Sequence, residues 1–206
     1  MSRLIIPVSD NLDKKNTYTQ YARRYNIALK NEFYFEAMLI TYAMMEDRLR
    51  SWLYYLGCLD NKGSRDFDCK SCKKEIRFMF DNNDSSKFRF PVIGNISGKR
   101  AILEATLKWA DSGYENSENS KYLTAVKKYY EKKLNIHEVM EQFDKMEKWC
   151  SYRNEVIHAL MNKNVESVNA ELAERVVEGM AIARYFDNLV KRIKTNSGIR
   201  KSINLK

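Results

Sequence analysis

The chain has 206 residues, 44% apolar and 12% aromatic, enough for one domain that buries roughly 70% of its unfolded surface without a disulfide or metal staple and too apolar for global disorder. Thirty-six Lys and Arg against 27 Asp and Glu leave a net charge of +9, which raises encounter rates with a polyanion. No run of ~18 apolar residues is present, which excludes an ordinary membrane span, and the apolar part of Met1–Val8 is too short for a secretory signal. Residues 1–206 therefore read as a single cytoplasmic domain.

Between Val8 and Leu56 there is neither Gly nor Pro, and apolar residues recur at helical spacing. Tyr18, Tyr21, Tyr25 and Leu29 form one stripe, with Thr17 as its expected N-cap. Phe33, Ala37, Ile40, Met44 and Trp52 form a second, with Asn31-Glu32 separating the two and Gly57 suited to the C-terminal stop. From 58 to 97 the pattern dissolves into an irregular insertion with Pro91 and Gly94 as breakers. A loop this long is expected to be functional or mobile, and Lys87-Phe88-Arg89-Phe90 alternates as a short strand would. Ser97 is expected to cap a helix that runs to about Ala110 and stops at Gly113. Leu123, Val126, Tyr130 and Leu134 mark another helix, with Lys127-Lys128 and Lys132-Lys133 on its basic side. After a bend near Ile136, Val139, Phe143, Met146, Cys150 and Ile157 mark a longer one. Asn162 to Asn164 reads as a turn, and Asn169 opens a final helix through Val176, Phe186 and Ile193, followed by a basic tail at 195–206. The fold class is all-α, a helical bundle of five or six helices.

The pair Cys69-Lys70-Ser71-Cys72 has the spacing of half a zinc site, but no second CxxC accompanies it. Cys69 and Cys72 read either as incidental reduced thiols or as a metal knuckle completed by a distant residue or a second subunit. A thioredoxin-like motif would need a βαβ pattern that is missing.

The stretch with most chemistry is Arg153-Asn154-Glu155-Val156-Ile157-His158, which sets an arginine, an amide and one of two histidines into an apolar helical pattern. Arginine supplies a permanent cation with a planar fork of donors for a phosphate, and histidine moves protons at neutral pH. The bland alternative is a surface arginine and a packed histidine. Five residues apart on an ideal helix, Arg153 and His158 point about 140° away from each other. Asn154 and His158 share a face, close enough for an amide to fix the imidazole tautomer. Either the helix bends near Arg153, or a second copy of the motif completes the site.

This segment resembles the Arg-x(4–6)-His signature of the HEPN domain superfamily, in which a polar residue commonly follows the arginine, here Asn154. The acidic pair Glu46-Asp47 on an earlier amphipathic helix adds to the likeness, which spans about 17–57 and 136–194. The resemblance implies a HEPN-like bundle in which two motifs meet across a homodimer. It also implies metal-independent endoribonuclease chemistry with no cofactor. Arg153 would stabilise phosphoryl charge, His158 would act as general acid or base, and Asn154 would orient the histidine or hold a phosphate. Glu46 and Asp47 are possible supporting acids, and otherwise surface or intersubunit ion-pair residues. Proteins of this kind serve as toxins or in antiviral defence, with an antitoxin or other regulatory protein as partner. The competing expectations are a non-catalytic HEPN module that binds RNA, a nucleotide or a protein, and a purely structural helical adaptor.

Overall fold

The structure is a computed structural model that describes residues 11–59, 73–80, 91, 93–112, 120–159, 162, 164–195 and 199. Among these residues it is all-helical: α1 (Asn11–Lys30), α2 (Tyr34–Tyr55), α3 (Lys73–Phe80), α4 (Ile96–Asp111), α5 (Lys121–Lys133), α6 (Ile136–Ala159) and α7 (Val165–Thr195). Seven helices thus replace the expected five or six, because α3 forms inside the stretch expected to be irregular. Lys73–Phe80 is too short for its period to stand out in sequence, yet it presents Ile76 and Met79 to the core. Cys69, Cys72, residues 87–90, Gly113 and nearly all of the basic tail lie outside the described residues. No helix of the structure is long and apolar enough to cross a membrane.

Helix α2 is the hub. It packs most extensively against α7 and also against α1 and α4, and its Ala37, Met38, Met45, Leu49, Trp52 and Leu53 are fully buried. The Trp52 indole stacks at 5.9 Å on Phe143 of α6, lies 6.5 Å from Phe186 of α7 and meets Tyr130 of α5 edge-on at 6.4 Å. Four helices therefore share one aromatic centre, where offset and edge contacts add to the burial energy. Tyr130 keeps its hydroxyl satisfied there by a 2.9 Å bond to Thr106. Helix α6 crosses α7 where Gly179 faces Trp149, and a Cβ at 179 would run into the indole ring. The Trp149 Nε1–H donates to the Arg175 carbonyl at 2.7 Å in the same crossing.

Side-chain caps set several helix starts, and they correct the expected boundaries. Asn95, not Ser97, caps α4, accepting from the Gly98 amide at 2.8 Å. Asn164 precedes α7 and accepts from the amides of Glu166 and Ser167, which places Asn169 inside the helix. Thr17 likewise lies inside α1, bonded or not, since that helix is already formed from Asn11. At α4 and α7 an Asn a few residues upstream starts the helix earlier.

Helices α1 and α2 end in the same way. The Phe33 and Glu32 amides donate back to Ala28 and Leu29, and the Cys58 and Gly57 amides to Leu53 and Tyr54, the paired bonds of a Schellman stop. Such a stop needs a left-handed residue, and φ is 60° at Glu32 and 78° at Gly57. Glycine adopts this freely, whereas a side chain costs about 1 kcal/mol or more there. Glu32→Gly should therefore raise unfolding stability by about 1 kcal/mol, and Gly57→Ala should lower it by at least about that much in urea denaturation.

Candidate functional site

The motif lies in the last turns of α6, facing α2. Arg153 is half-buried, its guanidinium 4.4 Å from the centroid of the Tyr42 ring, and its Nη1 donates to Asn154 Oδ1 at 2.9 Å. Its Nε is buried with no hydrogen-bond partner. The side chain is thus held by an aromatic face and a neutral amide. Arg153 makes no ion pair among the described residues. The more deeply buried cations differ in this respect: Arg48 faces Asp47 and Asp187, Lys99 faces Glu46, and Arg100 faces Glu104 and Glu147. A cation on a π-face keeps its full charge for an incoming anion.

Asn154 is committed to Arg153 and not to His158, so the expected amide-to-imidazole bond does not form in this chain. His158 is exposed one turn further on, at the end of α6. Beside Asn154 a cleft of about 70 Å³ opens between the start of α4 and α6, lined by Ser97, Arg100, Glu147, Cys150 and Ser151. Burial pushes the Cys150 thiol up to about 11, so it remains protonated near neutral pH. Glu147 is held below the usual carboxylate range by its hydrogen bond from Arg100.

The two acids of α2 separate. Glu46 turns toward α4, pairing at 2.8 Å with Lys99 and at 3.6 Å with Arg50, one turn along from Tyr42. The Tyr42 phenol is raised by burial and by Glu46, while Arg153 opposes the shift. Arg153, Asn154, Tyr42 and Glu46 therefore share a neighbourhood. Asp47 turns instead toward α1, where it takes Lys14 at 2.8 Å and the Tyr18 hydroxyl at 2.7 Å. Burial and the Asp47 charge together raise the Tyr18 phenol. Both acids carry intramolecular ion pairs. Among the described residues no cluster of three or more His, Cys, Asp or Glu is placed to hold a metal ion. Tyr42 escaped the sequence reading, which counted only the core-facing apolar stripe of α2. Its one signal was the four-residue spacing to Glu46, which puts both on one face.

No protein-family profile, curated protein or solved structure matches the chain. The local geometry must carry the functional argument.

Two outcomes follow from the acids. Lys99 is 1% exposed, and burial lowers its ammonium from the ordinary lysine value while Glu46 opposes that shift. Glu46→Gln should then cost about 2–3 kcal/mol of unfolding stability, and Lys99→Met should be close to neutral and should rescue Glu46→Gln, since an unpaired buried charge costs more than an absent pair. Burial alone would raise the Asp47 carboxyl, but Lys14, Arg48 and its hydrogen bonds outweigh it and hold it below 3.8. Its stabilisation is present above that pH and is lost as pH falls through the depressed folded value. Thermal melts of Asp47→Asn should fall below wild type at pH 7 and converge with it toward pH 2.

Proposed function

We propose that this chain is a metal-independent endoribonuclease of HEPN type, acting in the cytoplasm as a homodimer in which two copies of the Arg153–His158 motif form one composite site. The observation that carries the reading is the state of Arg153: half-buried, oriented by Tyr42 and Asn154, and without a carboxylate partner among the described residues. A guanidinium so held is prepared for a phosphodiester, because no competing ion pair has to be broken first. The exposed His158 supplies the proton-transfer group on the same helix. Since the two side chains diverge by about 140° around α6, a second copy is the simple way to bring a histidine to an arginine. Leu39 is 49% exposed and precedes Tyr42 by three residues on α2, an apolar contact beside the site that suits a partner surface.

In the proposed reaction the ribose 2′-hydroxyl loses its proton to His158 and attacks the adjacent phosphorus. Arg153 stabilises charge on the phosphoryl oxygens, and the leaving 5′-oxygen takes up a proton, giving 2′,3′-cyclic phosphate and 5′-hydroxyl ends. DNA, which lacks the 2′-hydroxyl, is not cut. Asn154 acts by holding Arg153, a role that differs from orienting the histidine. A place in a toxin–antitoxin pair or in antiviral defence, with a regulatory protein partner, belongs to the same proposal.

The test is RNA cleavage in EDTA with end-group analysis. The full chain should produce cyclic-phosphate ends, and Arg153→Ala and His158→Ala should each lower the rate by about 10²–10⁴-fold without changing the folded state by circular dichroism. Cleavage unchanged by His158→Ala would overturn the proposal. RNA retained without turnover would point instead to a non-catalytic RNA-binding module.

A further inference from the structure

The cleft beside Asn154 takes no part in the chemistry proposed above. Its α6 side is lined by Glu147, Ser151 and Asn154, and its α4 side by Ser97 and Arg100. Residues 147, 151 and 154 fall within about 60° of one another around an ideal helix, so their side chains form one row. Asn154 ends that row next to the motif, because its Oδ1 is the acceptor for Arg153 Nη1. A nucleotide whose phosphate is held by Arg153 thus has the cleft within reach of its base.

The polar groups of this cleft are uncommitted. Among the described residues the Ser97 and Ser151 hydroxyls and the Asn154 Nδ2 enter no hydrogen bond. The Glu147 side chain is 58% exposed, and Arg100 engages only its Oε1. Arg100 is the one cation in the lining, and it already faces Glu104 and Glu147. Two carboxylates around one guanidinium argue against a second phosphate here and for an uncharged, hydrogen-bonding group. About 70 Å³ is far below a whole small-molecule site and admits the edge of a ring. The order of groups then selects among edges. An ionised carboxylate only accepts, a hydroxyl does either, and an amide nitrogen only donates. Glu147 stays an acceptor near neutral pH, since its hydrogen bond from Arg100 holds it below the usual carboxylate range. Acceptor, hydroxyl and donor in a row match cytosine, whose exocyclic amine donates while its ring nitrogen and carbonyl accept. Uracil has a carbonyl at each end of the same edge and would set one against Glu147.

The geometry points to a base-reading subsite, an inference that rests on the reading of Arg153 as a phosphodiester site. The α4–α6 cleft takes the Watson–Crick edge of an RNA base that carries an exocyclic amine, accepting cytosine over uracil, with Glu147 as its specificity-determining residue.

Fluorescence anisotropy with 2′-O-methyl octamers of cytosine and of uracil tests this, because such strands keep bases and phosphates but cannot be cut by 2′-hydroxyl attack. The full chain should bind the cytosine octamer at least about fivefold tighter. Glu147→Gln, whose amide can turn a donor toward uracil, should bring the two affinities within about twofold. Arg100 keeps Glu104 at 3.0 Å in that variant, so its circular dichroism should match wild type. Equal binding of the two octamers by wild type, no binding of either, or a preference unchanged in Glu147→Gln would overturn the subsite. The nuclease reading fails separately. A cytosine preference lost in Glu147→Gln, with no RNA cut in the EDTA assay, keeps the subsite and removes the nuclease, whereas cleavage with equal octamer binding does the reverse.

Discussion

Burial of α2 on nearly all sides is the constraint from which the rest of the molecule follows. A helix surrounded by α1, α4 and α7 can carry charged residues only if each finds its counter-charge on a neighbour. Glu46 finds Lys99 on α4, Asp47 finds Lys14 on α1, and Arg48 reaches Asp187 on α7. Three consecutive ionic residues thus tie α2 to three different helices, each turned about 100° from the last. The apolar contacts of Trp52 with Phe143, Phe186 and Tyr130 lie within a large buried core, and burial of that kind is non-directional. The ion pairs add direction, since a rotation of α2 would strand a desolvated charge.

This explains which parts of the fold could be read from the sequence. The long apolar stripes of α2, α6 and α7 stand out because their period is sustained over many turns. The break at Asn31-Glu32 and the stop at Gly57 were also readable, since both depend on local backbone chemistry. Helix starts were not: Asn95 and Asn164 outcompete Ser97 and Asn169 as caps through bonds to amides two or three residues on, a choice made by the register of the whole helix. Helix α3 was hidden because eight residues hold too few periods to distinguish from a loop. The partners of Glu46 and Asp47 were beyond reach for another reason, since Lys99 lies 53 residues and Lys14 33 residues away.

The candidate site shows the same division. Arg153, Asn154 and His158 were readable as residue types in a spacing. Their roles were not, because the partner that matters, Tyr42, sits on a helix more than a hundred residues earlier. Its ring settles which way the Arg153 side chain runs and leaves Asn154 to bond that arginine. The divergence of Arg153 and His158 around α6, a matter of helix geometry alone, was plain from the start and persists in the folded chain.

The net charge acquires a distribution in the structure. Arg48, Lys99 and Arg100 are paired with carboxylates within the fold, so the +9 excess resides on other basic side chains. Arg153 over Tyr42 differs from those three cations, since it has no carboxylate partner among the described residues. Arg153 is a single directional fork fixed by an aromatic face, suited to one phosphate in one orientation. Tyr42 and Arg48 lie six residues apart on the same helix, about 9 Å along its axis, so the Arg153 contact and the Arg48 ion pairs are positioned by one rigid, closely packed element. Because Glu46 holds Lys99 from the position beside Asp47, the platform under Arg153 stays anchored only while α2 keeps its present rotation.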